Sequence, residues 1–463
     1  MFKPKVYIKR RQELLRKVNS GIILFIGNDE SHVLIRDTVH KFRQNSNFLY
    51  YWGLSEPGLF ALIDVKSGKE ILFGHDLTTE EIVWEGEQLK LTDKAKLIGV
   101  NETAESSTLK NVLLNFREGR KQIHLLPQHL DNNIVKLANL LNISIKQVTQ
   151  RYSVELTKAV ISQRAIKSKK EITEIEEALK ISYKLHTNAM NETKPGKYEY
   201  DIVSSMEKLL ISKGSRWAYL PIFTIRGERL HNHHYDNKIK KGDLVINDSG
   251  AESPVGYYSS DITRTFPVSG KFTKKQKAIY EIVLKSQLAA IEAIKPGVKY
   301  LDIHILTAKV ITDGLKKLGI MRSDVDSAVA KGAHALFFPH GLGHMMGLDV
   351  HDMEDLGENY IGYDDKTKRS DQFGLAYLRF AKELKVGHIL TVEPGIYFIP
   401  QLIEQWKSEN KFEEFINYNK VNEYIDFGGV RIEDNILVTK TGCRVLGKTI
   451  PKTVKEIESL MNK

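Results

Sequence analysis

The chain has 463 residues, 41% hydrophobic and 27% charged, and its 68 basic against 58 acidic residues leave a net charge of +10. This composition excludes a disordered or fibrous chain and suggests a globular protein of two domains. The positive excess is spread along the chain, with only short runs such as 167–170, which argues against a clustered nucleic-acid surface.

A single cysteine, Cys443, excludes an intrachain disulfide and suits a reducing compartment. The N-terminal MFKPKVYIKRRQELLRKV lacks the apolar core of a signal peptide. The longest early apolar run, residues 22–26, is far too short to span a membrane. A cytoplasmic protein with no membrane or nucleic-acid partner is expected.

Residues 22–26, 48–52, 59–63, 71–73 and 123–126 are apolar runs of strand length, while 8–18 and 131–142 space their apolar residues as helices do. This predicts a compact α/β domain. His32, His40 and His75 are isolated there and suit structural or solvated roles. Ser168 and Glu171 then form a capping box ahead of Ile172, Ile175, Leu179 and Leu185. The boundary is placed before it, near 155–167, giving domains 1–160 and 161–463.

The second part repeats itself. PGKYEYDI begins at Pro195 and PGVKYLDI at Pro296, each after a helical stretch and each leading into another helix, with Asp201 and Asp302 as N-caps. KGDLVINDSG (241–250) parallels VGHILTVEPG (386–395), and a carboxylate, Asp248 or Glu393, stands six positions after the glycine in both. Two like halves imply a pseudo-twofold domain with the carboxylates opposed at its centre.

Within the second half, between PGVKYLDI and VGHILTVEPG, lies FFPHGLGHMMGLDVHD, Phe337 to Asp352. Its three histidines are separated by glycines that disfavour a helix, which excludes the helical HExxH zinc motif. A glycine-kinked strand or loop presenting imidazoles at a pocket wall fits better. Asp248, Asp261, His344, Glu393 and Glu433 all end or interrupt strand-like runs. Four carboxylates and an imidazole in apolar surroundings are very costly unless cations bind them. Two divalent ions about 3.5–4 Å apart, bridged by carboxylates, would satisfy them. Oxygen ligands with one nitrogen favour manganese- or cobalt-type coordination over structural zinc.

The contexts NDSG, SSDITRTFP, PHGLGH, TVEPGIYF and GGVRIED, in that order, resemble the proline-specific metallopeptidases: Xaa-Pro aminopeptidase (aminopeptidase P) and Xaa-Pro dipeptidase (prolidase). The resemblance covers nearly the whole chain. It implies an α/β (α+β) architecture, with a creatinase/aminopeptidase P-like N-terminal domain followed by a pita-bread catalytic domain. RQNSNFLYYWGLSEPG (43–58) looks like the N-terminal domain of aminopeptidase P.

Carried over by position, the resemblance makes Asp248, Asp261, His344, Glu393 and Glu433 the metal ligands, with Asp261 and Glu433 bridging two divalent ions, Mn2+ foremost. It implies a hydroxide between the metals that attacks the carbonyl before proline. Glu393 would carry the proton, and His231 and His351 would bind substrate. His340 and Arg431 also match catalytic positions. His233 and His234 are rivals to His231 by composition, out of register with the motif. The Asp248–Asp261 interval is two residues longer than usual, the excess falling in ESPVGYYSS, which suits a longer hairpin turn; otherwise Ser259 would hold the usual position.

The expected function is an Xaa-Pro aminopeptidase acting on peptides with proline second, as a homodimer or higher homo-oligomer. Prolidase is the alternative. IYFIPQLIEQWKSENKFEEFINYNKVNEYIDFGGVRIEDN looks more like prolidase, where a comparable insertion separates the last two glutamates. A non-catalytic binding module is the remaining reading, disfavoured by the complete ligand set.

Overall fold

The structure is a computed structural model and describes residues 2–35 and 38–462. It divides into two compact units, Met1–Arg164 with Met353–Tyr360, and Ala165–Asp352 with Ile361–Lys463.

The first unit is built on a five-stranded sheet. Its strands are β1 (Ile22–Ile26), β2 (Phe60–Asp64), β3 (Glu70–Gly74), β4 (Glu102–Glu105) and β5 (Ile123–His124). Their order is β4-β3-β2-β1-β5, with parallel pairs at both edges and antiparallel pairs within. The helices are α1 (Pro4–Leu15), α2 (Ser46–Trp52), α3 (Thr79–Glu85), α4 (Leu91–Ile98), α5 (Leu109–Glu118), α6 (Asp131–Leu141), α7 (Ile145–Gln150) and α8 (Val154–Arg164). One core layer joins Ile22, Leu24 and Ile26 of β1 to Leu113 of α5 and Leu137 of α6. Phe25, on the opposite pleat, meets Tyr51 and Trp52 of α2 at ring centroids of 5.0 and 6.0 Å.

Residues 48–52 are therefore helical, where the apolar run suggested a strand. Asn45 Oδ1 accepts the amides of Asn47 (2.9 Å) and Phe48 (3.2 Å), which caps the helix, and Gly53 ends it at φ 68°. Phe48 to Trp52 are all buried, so no polar face marks the helical period.

The second unit pairs helices α9 (Lys169–Glu192) with α10 (Glu199–Ser212), and α11 (Lys274–Ala293) with α12 (Tyr300–Lys317). Shorter helices follow: α13 (Val325–Lys331), α14 (Glu358–Gly362), of which only Ile361 and Gly362 belong to this unit, α15 (Pro400–Ser408), α16 (Tyr418–Asn422) and α17 (Val454–Met461). Strands β6 (Ile222–Thr224), β7 (Leu244–Asp248) and β8 (Thr263–Pro267) form one antiparallel sheet. The strands β9 (Ile389–Val392), β10 (Gly395–Tyr397), β11 (Gly429–Arg431), β12 (Asp434–Val438) and β13 (Cys443–Val445) make a sheet of order β13-β12-β9 and a β10–β11 ladder.

Both halves of the repeat thus give a helix pair and a strand, β7 or β9, with a carboxylate at its end. Ser168 caps α9 as expected, with its amide and hydroxyl donating to Glu171 at 3.0 and 2.8 Å. Asp201 and Asp302 are not N-caps: those positions belong to Tyr198 and Lys299. Asp201 lies in the first turn and reaches back to accept the Tyr198 amide at 2.8 Å, a role that spacing alone does not separate from the cap.

Candidate active site

The strand ends of the second unit converge on one point. Asp248 closes β7, paired with Thr263 at the start of β8, and Asp261 lies two residues before that start. Glu393 follows β9, and Glu433 sits between β11 and β12, its amide donating to the Thr263 carbonyl at 3.0 Å. The longer Asp248–Asp261 interval is taken up by a turn over residues 253–258, closed by a Glu252–Ser259 bridge, with Tyr257 at φ 61°.

The histidine segment forms a loop running beside β9. The Thr391 amide donates to the His344 carbonyl (3.0 Å), and the Met346 amide to that of Ile389 (3.0 Å). Gly343 permits this approach, because a Cβ there would stand 2.2 Å from the Thr391 carbonyl oxygen. Asp352 seats the loop's far end: Lys167 Nζ donates to its carboxylate at 2.7 Å, and a Cβ on Gly347 would collide with that carboxylate at 2.5 Å.

Asp261, His344 and Glu433 each place a ligand atom within 4.8 Å of the others. His344 Nε2 is 3.3 Å from Asp261 Oδ2 and 3.7 Å from Glu393 Oε1. Tyr219 Oη reaches Asp248 Oδ1 at 2.6 Å and Asp261 Oδ1 at 2.5 Å. Arg431 donates to Asp248 Oδ2 (2.7 Å), to Tyr397 Oη (2.8 Å) and to Thr263 Oγ1 (3.1 Å). Thr263 in turn donates to Glu433 Oε2 at 2.7 Å.

Three observations fit bound divalent cations. Among the described residues, the buried Glu433 Oε1 has no hydrogen-bond partner. The Tyr219 hydroxyl has one proton for two carboxylates, so the second short oxygen pair needs either a proton on Asp261 or a cation beside it. His344 Nδ1 is matched to the Met345 carbonyl (3.0 Å), which assigns it the proton and turns the bare Nε2 lone pair toward Asp261 and Glu393.

Electrostatics agree. Burial, then the Asp248 charge, pushes Asp261 up to about 8. Burial, then Asp261 and Glu393, holds Glu433 well above the carboxylate range. Burial also raises Glu393. Buried carboxylates gathered with an imidazole have the donor chemistry for divalent metal ions, which would restore the charged forms.

Around this cluster lies a cavity of about 740 Å³, lined by all five residues and by His231, His340, His351, Arg379 and Arg431. The His351 ring lies 4.1 Å from that of His344, centroid to centroid. His231 stands partly exposed at the wall, and burial, then Arg431, lowers its pKa. His233 lines the same cavity. His340 is engaged on both nitrogens. Nδ1 meets the Gly341 carbonyl (2.8 Å), so Nε2 accepts from Tyr397 Oη (2.9 Å). Burial, then Arg431, lowers His340 to about 3, which keeps it neutral.

Tyr219, Thr263, Thr391 and Tyr397 were not singled out by the sequence. Thr263 and Thr391 had a signal: each lies two residues from a carboxylate, which places it on the same face of an extended chain. Tyr219 had none, because its partners lie 29 and 42 residues away.

A pita-bread unit whose strand ends gather carboxylates and a histidine defines a metallopeptidase. Residues 173–440 match metallopeptidase family M24, and 7–125 match the aminopeptidase P N-terminal domain; the chain belongs to metallopeptidase family M24. It is 34% identical to human Xaa-Pro dipeptidase, covering 98% of this chain and 92% of that protein. It is 32% identical to a probable Xaa-Pro aminopeptidase of Fusarium vanettenii, over 99% and 96%. Among solved structures, Pseudomonas aeruginosa aminopeptidase PepP superposes with a TM-score of 0.83 at 30% identity, over 100% of this chain and 98% of that one. Zn-substituted Escherichia coli aminopeptidase P in complex with product gives 0.82 at 29%, with the same coverage.

Proposed function

We propose that this chain is an Xaa-Pro aminopeptidase, hydrolysing the bond between an N-terminal residue and proline with the help of two divalent metal ions, Mn2+ in the cell. The observation that carries this reading is the orphaned Glu433 Oε1 inside a knot of three further carboxylates and His344, facing a cavity large enough for a short peptide. Asp248, Asp261, His344, Glu393 and Glu433 would hold the ions. Such ions lower the pKa of water to near neutrality and polarise a carbonyl.

The remaining work falls to side chains. Glu393, beside His344 and within 3.3 Å of the Thr391 hydroxyl, takes the water's proton and passes it to the proline nitrogen as the C–N bond breaks. That nitrogen has no hydrogen before cleavage, so delivering one is obligatory. His351 and His231 donate to the substrate carbonyl and the developing oxyanion. Tyr397, braced between Arg431 and His340, fixes the Arg431 fork on Asp248. Tyr219 orients Asp248 against Asp261.

Prolidase activity is the second reading, favoured by Arg379. Its cation lines the cavity, and a dipeptidase needs such a group for the free proline carboxylate. A peptide series at equal concentration, with manganese added, separates the two. Comparable or faster cleavage of Xaa-Pro-Yaa and longer peptides supports the aminopeptidase. Activity confined to Xaa-Pro transfers the assignment to prolidase. No hydrolysis under full metal loading favours a binding module.

The oxygen-rich donor set supports manganese over structural zinc. Among the described residues no helix is long and apolar enough to cross a membrane. A cytoplasmic homodimer or higher homo-oligomer completes the proposal.

A further inference from the structure

The residues between Glu393 and Glu433 do more than separate two glutamates. α15 buries Ile403 and Trp406 and turns Leu402 to the cavity, joined there by Ile399 just before the helix. Phe373 braces this helix, its ring centroid 5.8 Å from Trp406 and 6.0 Å from Tyr377. The Tyr377–Leu378 main chain is pressed against the histidine loop, because a Cβ on Gly341 would meet Tyr377 O and Leu378 Cα at 2.9 Å. Phe373, Tyr377, Ile399 and Leu402 thus give the cavity an apolar lining, anchored to α15 on one side and to the His340 loop on the other.

The lining stands at the cavity's mouth: Tyr377 is 57% and Phe373 36% exposed. Large apolar side chains held in a concave, braced surface gain by covering one another or an apolar ligand. The position of that ligand follows from chain length. Only one residue precedes the bond cut at the cluster, so the part of a longer substrate that reaches the mouth is the chain beyond proline.

We infer that Phe373, Tyr377, Ile399 and Leu402 form a subsite for an apolar side chain immediately after proline, so that the substrates are Xaa-Pro-Yaa peptides with apolar Yaa. This rests on the Xaa-Pro reading above and adds to it the residue that follows the cleaved bond's proline.

The test is kcat/KM for Ala-Pro-Leu relative to Ala-Pro-Ser, with Ala-Pro alongside, on the full chain loaded with manganese. Leucine is expected to be favoured by about tenfold or more, and Leu402→Asn and Tyr377→Ser should each draw the ratio toward one. The ratio is taken within one preparation, so partial misfolding cancels. Should Leu402→Asn fail to fold, Tyr377→Ser at its exposed position carries the comparison. A wild-type ratio near one, or a ratio unmoved by the variants that fold, overturns the subsite. Cleavage of Ala-Pro but of neither tripeptide overturns it while leaving Xaa-Pro hydrolysis intact. Failure to cleave any of the three overturns both readings.

Discussion

Glu433 and Asp434 are consecutive and 2% and 4% exposed, yet their surroundings are opposite. Asp434 has a complete set of partners: Arg264 Nη2 at 2.6 Å, Lys452 Nζ at 2.6 Å and Gln287 Nε2 at 3.1 Å. Burial alone would raise its pKa, but Arg264 and Lys452 hold it below the usual carboxylate range. Glu433, on the other pleat, receives one hydroxyl from Thr263, and burial, then Asp261 and Glu393, pushes it up. The protein builds one buried carboxylate into its own framework and leaves an oxygen of the adjacent one without a hydrogen-bond partner among the described residues. Arg264 also ties the two together, donating to the Glu433 carbonyl at 2.6 Å.

The largest effect should come from deleting the unsatisfied carboxylate. Glu433→Ala is expected to abolish activity and metal content together, as a chelator should in the wild type, with manganese restoring only the latter. Fewer than about one metal per chain in active wild-type enzyme, by elemental analysis, would break the two-ion reading.

Asp434→Asn should fail differently. It leaves the buried Arg264 and the half-buried Lys452 beside a neutral amide, so stability to denaturant should fall by about 3–5 kcal/mol. The fraction that folds should still bind metal. Loss of metal without loss of stability would erase the distinction between the two neighbours.

His351→Ala removes a ring packed at a tilt against His344 and holding no proposed bridge. Metal content should persist while kcat falls by roughly two to three orders of magnitude. A fully active variant refutes its donor role. A more damaging His233→Ala than His231→Ala would reassign the neighbouring substrate contact.

The smallest effect concerns buried groups with no cation at all. The ring nitrogens of His304 and His334 have no hydrogen-bond partner among the described residues. Burial, then His334 and His340, lowers His304 to about 3, and burial lowers His334 to about 4. Above about 6.5 both rings are neutral folded or unfolded. Below that, the unfolded chain takes up protons that the folded one refuses, so stability drains from about 6.5 down through the folded values. At pH 5 this costs about 2 kcal/mol per ring. Denaturant midpoints at pH 7 and pH 5 should converge in His304→Phe relative to wild type; an unchanged gap would show that the ring is charged or hydrated in the fold.

Much of this was legible from local pattern. The capping box at Ser168 announced α9, because a cap and its amide acceptor lie within four residues. The duplicated strand-plus-carboxylate segments announced the two central acids, because a ligand at a strand's end needs only its own strand to be recognised. The proposed ligand set was read from the same kind of local pattern.

What the chain alone did not reveal depends on distance along it. Phe48 to Trp52 became a helix because Asn45 caps it and neighbours cover every side, which removes the periodic signature. Tyr219, the Arg431–Tyr397–His340 brace and the Arg264 clamp join residues 29 to 187 positions apart, or belong to contacts made only once the two halves meet. The sequence by itself determined the family motifs and the candidate residues, since side-chain identity and local spacing are written in it. Only the tertiary structure decided which carboxylates are left without a partner, because satisfaction of a buried charge depends on what the rest of the chain brings beside it.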